Sequence, residues 1–131
     1  MMRGYTFLYG LLLITTPVIL AGCHNRPHDQ TPTKATLKVL HEQVMMFKLD
    51  TGRFPTTDEG LQVLVKQPPN VTNWDPSGYL QTTKVPRDAW GNDFVYKLTP
   101  GSKNPFVIIS YGADGKEGGE GINADLHSTD P

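Results

Sequence analysis

Leu37, Leu40, Val44 and Phe47 recur at intervals of three and four residues, and no other pattern in this 131-residue chain constrains its fold as tightly. The spacing predicts an amphipathic helix of about 17 residues beginning at Thr33, with Val39 and Met46 flanking the same apolar stripe. A stripe of this kind reads as core packing, not as a cofactor box, and His41 lies beside it at a partly exposed position. The stop signals are equally local. Lys48 places a cation in the last turn, where the helix dipole is negative. Gly52 supplies the left-handed closing residue, and Pro55 blocks any resumption. Thr56 and Glu59 then fit a capping box. Leu61, Leu64 and Val65 give a short second helix its buried face, and the run Gln67-Pro68-Pro69 ends it. Asp50, Arg53 and Asp58 stand at these helix ends, which explains them without any catalytic role.

An apolar stripe requires a second layer to cover it. "DFVYKL" and "PFVIIS" both read as strands, and the loop "TPGSKN" between them makes an antiparallel hairpin. Asp75-Pro76-Ser77-Gly78 reads as one turn and Gly91-Asn92 as another. Trp90, between a turn and a strand, is expected to be a packing residue. The prediction is an α+β domain, with an N-terminal helix packed on a small antiparallel sheet.

The charge pattern excludes some functions. Net charge is −1 and the Lys and Arg residues are scattered, so there is no electrostatic footprint for nucleic acid. No Ser or Cys nucleophile stands in a recognisable hydrolase setting. His127, near Asp125, reads as a loop residue and not as a base. The chain is read as non-enzymatic.

The N-terminus is of another kind. "MMRGYTFLYGLLLITTPVILAGC" has a positive start at Arg3, an uncharged stretch from Tyr5 to Leu20, and small residues before Cys23. That is the form of an export signal, here assigned to residues 1–22. Pro17 and the modest length argue against a permanent membrane span. "LAGC" resembles the lipobox of bacterial lipoproteins, which implies cleavage before Cys23 and lipidation of that thiol. Lipidation also disposes of a lone cysteine that has no disulfide partner. Residues 23–33 follow as a polar tether, in which His24 and His28 read as solvated, and residues 34–131 form the globular domain.

"SYGADGKEGGEGINAD", residues 110–125, holds five glycines and four carboxylates directly after the apolar run "FVIIS". Ordering such a loop costs roughly 1–2 kcal/mol of backbone entropy per residue, and packed carboxylates repel. A bound metal, a phosphate cradle or plain solvent are the candidate explanations. The loop lacks the Gly-Lys-Ser/Thr of a phosphate-binding loop and the alternating oxygen ligands of an EF-hand. "GGEGINADL" faintly echoes the calcium-binding β-helix nonapeptide, but a single copy cannot build a solenoid. A cation site and a solvated loop both remain.

Three segments, "MMFKLDTGRFPTTDEGLQVLV", "VPRDAWGNDFVYKL" and "ISYGADGKEGGEGINADL", resemble in order the major pseudopilin of type II secretion systems. The resemblance covers about residues 35–127. It implies a structural protein whose copies stack into a short periplasmic filament, with secretion-system components as partners. It also implies that the acidic loop holds calcium. Asp114, which opens the loop, and Asp125, which closes it, are the preferred side-chain ligands. The carbonyls near Ser110 and Tyr111, with Asn123 nearby, are secondary candidates. The glycines between would let backbone carbonyls turn towards a hard cation that takes six to eight oxygens.

The N-terminus departs from that family. A pseudopilin has a glycine before its cleavage point, then phenylalanine, and a glutamate at the fifth mature position. Here Gly4 is followed by Tyr5, and Tyr9 stands in place of the glutamate. Pro27 and Pro32 are expected to interrupt the long apolar helix. Two functions follow. One is a structural or accessory part of a secretion machine, held on the periplasmic side of a membrane by a lipid anchor. The other is a lipid-anchored, calcium-dependent binding domain unrelated to secretion. Whether copies of the chain associate is left open.

Overall fold

The structure is a computed structural model and describes residues 29–131. The signal segment, Cys23, both tether histidines and Pro27 lie outside the described residues.

One helix, α1 (Thr31–Thr51), lies against a three-stranded antiparallel sheet of β1 (Val95–Leu98), β2 (Phe106–Ser110) and β3 (Leu126–His127). The strand order is β1-β2-β3, with Tyr96 opposite Ile108 and Ser110 opposite Leu126. The expected α+β architecture is therefore present. Among the described residues, no helix is long and apolar enough to cross a membrane.

The stripe on α1 packs as its spacing requires. Leu37, Leu40, Val44 and Phe47 are buried, and each contributes about 1.5–3 kcal/mol by leaving water. They meet Tyr96, Phe106, Ile108 and Leu126 from the sheet, together with Leu61, Val63 and Leu64. Phe106 is the centre of this core, with the rings of His41, Phe54 and Tyr96 at 4.6, 5.3 and 5.8 Å. Burial beside Phe106 pushes the His41 imidazole below its usual pKa. Val39 and Met46 are not part of the core. Both are about half exposed, as is Met45, so the buried face of the helix is narrower than the apolar sequence suggests.

The helix also begins earlier than expected. Pro32 lies in its first turn and starts the helix instead of interrupting it. The amides of a first turn have no intrahelical acceptor, so a residue without an N–H is tolerated there. Asp29 Oδ1 accepts the Thr31 amide at 2.9 Å and the Thr31 hydroxyl at 2.6 Å, which fixes the entry. At the other end Gly52 takes φ 79° and donates its N–H to the Lys48 carbonyl at 2.9 Å.

The second helix is a 3₁₀ segment, Gly60–Leu64, and not an α-helix. Its capping box is present, because Glu59 Oε2 accepts the Thr56 amide at 2.8 Å and the Glu59 amide reaches Thr56 Oγ1 at 3.2 Å. Gly60, however, sits at φ 57°, a left-handed conformation that an α-helix cannot continue through. Glu59 is also held by Arg53 through two contacts of 2.7 Å. That guanidinium lowers the Glu59 pKa to about 2. Arg53 thus staples the chain exit of α1 to the next segment. Pro55 is fully buried, and its carbonyl accepts the Tyr96 hydroxyl at 2.9 Å.

His127 belongs to β3 and faces Ile109, so the expectation of a loop residue is corrected. A two-residue strand is too short to show any alternation in sequence. The turn at residues 75–78 forms as predicted, closed by Gly78 N–H to the Asp75 carbonyl, and the turn expected at Gly91-Asn92 starts earlier, at Asp88, whose carbonyl accepts the Gly91 N–H. Trp90 is partly buried and packs against the core.

Candidate metal centre

The acidic loop leaves β2 at Ser110 and returns to the sheet at Leu126, so both of its ends are fixed by the same strand pair. Within the loop the two arms cross at Asn123. Gly112 takes φ +65°, and a Cβ added there would lie 2.6 Å from the Asn123 carbonyl carbon. Gly119, at φ +90°, would place a Cβ 2.5 Å from the Asn123 oxygen. The Ala113 amide donates to the Ile122 carbonyl at 3.0 Å across the same crossing. Gly112 and Gly119 are therefore a packing requirement and not only a source of flexibility.

Asp114 follows Ala113 and Asp125 stands two residues beyond Asn123, so both flank that crossing. Asp125 accepts the Gly118 amide on both carboxylate oxygens at 3.0 Å. Asp114 Oδ1 accepts the Lys116 amide at 3.1 Å. Ser110 is fully buried, and its hydroxyl donates to Asp88 Oδ2 at 2.7 Å. The Tyr111 ring lies 5.9 Å from the Lys97 ammonium.

Two residues that position this loop escaped the sequence reading. Asp88 is buried, and besides the Ser110 hydroxyl it accepts the Trp90 and Asn92 amides at 3.0 and 2.8 Å. Asn92 in turn donates its side-chain amide to the Gly112 carbonyl at 2.9 Å. The turn at 88–92 is thereby a buttress for the loop. From the other side, Gln30 Nε2 reaches the Gly121 carbonyl at 2.8 Å, and Thr33 Oγ1 accepts the Ala89 amide at 3.0 Å. The start of α1, the Trp-Gly-Asn turn and the glycine loop form one hydrogen-bonded unit. An Asp followed four residues later by Asn around a glycine was the available signal, but it reads as an ordinary turn.

The donor set suits a hard cation: carboxylate oxygens from Asp114 and Asp125, backbone carbonyls, and no thiol. Among the described residues no three His, Cys, Asp or Glu side chains come together. Calcium in this loop would have to draw most of its ligands from carbonyls and water, which the left-handed glycines are suited to present.

The sequence matches the family model for the type II secretion system (T2SS), protein G, over residues 24–129. Type II secretion system core protein G of Pseudomonas aeruginosa is 39% identical over 137 residues, covering 97% of this chain and 94% of that protein. The Vibrio cholerae protein of the same name is 36% identical, covering 94% of this chain and 88% of its own. The major pseudopilin from the type 2 secretion system of enterohaemorrhagic Escherichia coli superimposes with a TM-score of 0.62 at 32% identity, over 75% of this chain and 83% of that one. A model match over most of the chain and relatives aligned nearly end to end leave no room for a shared fold alone: the chain belongs to the type II secretion system protein G family.

Proposed function

We propose that this chain is a structural or accessory component of a type II secretion pseudopilus, working by assembly and not by catalysis. The observation that carries the reading is the end-to-end likeness to core protein G at 39% identity. Its partners are then other secretion-system components in the cell envelope, on the periplasmic side. The test is a pull-down of the full chain from detergent extracts with mass spectrometry. Recovery of other secretion subunits is expected; recovery of none from a secreting cell overturns the proposal.

The anchor follows from the sequence motif. Cleavage before Cys23 removes the leader, and lipidation of its thiol supplies acyl chains whose burial contributes about 0.8 kcal/mol per methylene. A second reading keeps the apolar segment and places cleavage after Gly4. It is favoured by the extent of the Pseudomonas aeruginosa alignment, which at 97% of this chain takes in residues 5–20. The intact mass of the recovered bait separates a lipid-modified chain starting at Cys23 from an unmodified chain starting at Tyr5.

Calcium in the acidic loop is the third part of the proposal, resting on the oxygen donors and on the crossing at Asn123. Calcium at a hundredfold its Kd adds about 2.7 kcal/mol to stability. The expected result is a melting temperature higher in calcium than in chelator, with the gain abolished in Asp114→Ala and Asp125→Ala. Identical melting curves for the unmodified sequence overturn it.

A further inference from the structure

Asp114-Gly115 is the one Asp-Gly pair in the chain, and the sequence has no Asn-Gly pair. The backbone nitrogen that follows an aspartate can close a five-membered ring on the side-chain carboxyl carbon. A Cβ on the following residue obstructs that approach, and glycine has none. Here the fold demands the glycine. Gly115 takes φ +65°, and a Cβ there would lie 3.3 Å from Asn92 Oδ1. Both residues of the pair are exposed to water. Asp114 Oδ1 accepts the Lys116 amide at 3.1 Å, which folds the carboxyl forward along the Gly115 peptide. The Gly115 N–H is held by a long bond, 3.3 Å to the Gly112 carbonyl.

Other aspartates are protected. Asp75 and Asp130 precede proline, whose nitrogen is already fully substituted. Asp88 is buried and accepts three hydrogen bonds. Asp125 has both oxygens on the Gly118 amide and is followed by Leu126 in β3.

We propose that Asp114 is a site of spontaneous succinimide formation and conversion to isoaspartate, and that the conversion loosens the crossing at Asn123. The Gly115 nitrogen bonds to Asp114 Cγ, and the carboxyl hydroxyl leaves as water with the amide proton. Water then reopens the ring. Attack at Cγ restores aspartate, whereas attack at the backbone carbonyl carbon leaves the chain running through the side chain. The product is an isomer, so no oxidant, metal or enzyme is required. Its backbone is longer by one carbon, placed next to Ala113, whose amide bonds to the Ile122 carbonyl across the crossing. The site does not depend on calcium, although the same change would displace Asp114 as a proposed ligand.

The test is to age the purified full chain in chelator at physiological temperature. Isoaspartate is then measured with isoaspartyl methyltransferase and located by peptide mapping. Most of it is expected at residue 114. Asp114→Asn should convert severalfold faster, because ammonia leaves more readily than water. Asp114→Glu, which keeps the charge but closes its larger ring poorly, should lose the signal. Isoaspartate at residue 114 no higher than at the exposed Asp58 and Asp93 overturns the inference, as does an undiminished signal in Asp114→Glu. In the fraction that carries isoaspartate at residue 114, the Ala113 amide should exchange faster than in the fresh chain. Equal exchange overturns the loosening of the crossing.

Discussion

Asp88→Ala is expected to destabilise the domain by about 4 kcal/mol, a large share of its total stability. The carboxylate is buried and accepts three hydrogen bonds, from the Ser110 hydroxyl and from the Trp90 and Asn92 amides. Removing it strands three donors, and the combined loss is about 4 kcal/mol when bonds to a charged group and the remaining desolvation are counted. A domain of this size holds only about 5–15 kcal/mol in all. Asp88→Asn retains an oxygen for the two amides and should lose about half as much. Denaturant melts of the two variants check the order. Equal stability for Asp88→Ala and the unmodified chain would show that the turn and the loop are independent. A further consequence is testable in the same samples: with the turn loosened, Asn92 no longer holds the Gly112 carbonyl, and the loop amides should exchange faster than the rest of the sheet.

The helix was legible because its signal is periodic and local. Four apolar residues at helical spacing, a cation in the last turn and a glycine beyond it each act within a few residues of one another. The hairpin of β1 and β2 was legible for the same reason, as two apolar runs joined by a short polar loop. What escaped depends on distant contacts or on short elements. Asp88 acquires its role from Ser110, which lies 22 residues away. β3 has two residues and no pattern of its own. Met46 and Val39 looked like core because they are apolar, but a helix against a small sheet buries one narrow stripe and leaves them half exposed. Gly60 carried its signal openly, yet the capping box beside it argued for a helix. The glycine was the stronger of the two, because a positive φ stops an α-helix while a capping box only starts one.

The acidic loop was legible in composition but not in geometry, and the glycines show why. Five glycines in sixteen residues suggest freedom, yet they are not equivalent. Gly118 sits at φ +94° with open space where a Cβ would go, so Gly118→Ala is expected to lose roughly 1–2 kcal/mol, the cost of left-handed backbone alone. Gly112 has the same conformational constraint and in addition meets backbone atoms of Asn123 at 2.6, 2.7 and 2.8 Å. Those atoms cannot withdraw easily. The Asn123 amide is bonded to the Glu120 carbonyl at 3.1 Å, and the neighbouring Ile122 carbonyl holds Ala113 at 3.0 Å. Gly112→Ala must therefore part the two arms of the loop, at a total of about 4 kcal/mol. On the calcium proposal this crossing is what presents Asp114 and Asp125 to one ion, so any calcium-dependent rise in melting temperature should vanish in Gly112→Ala and persist in Gly118→Ala. Melting both variants in calcium and in chelator gives four numbers with a fixed expected order. If Gly112→Ala melts with Gly118→Ala, the arms do not touch in solution and the crossing at Asn123 cannot support a calcium site.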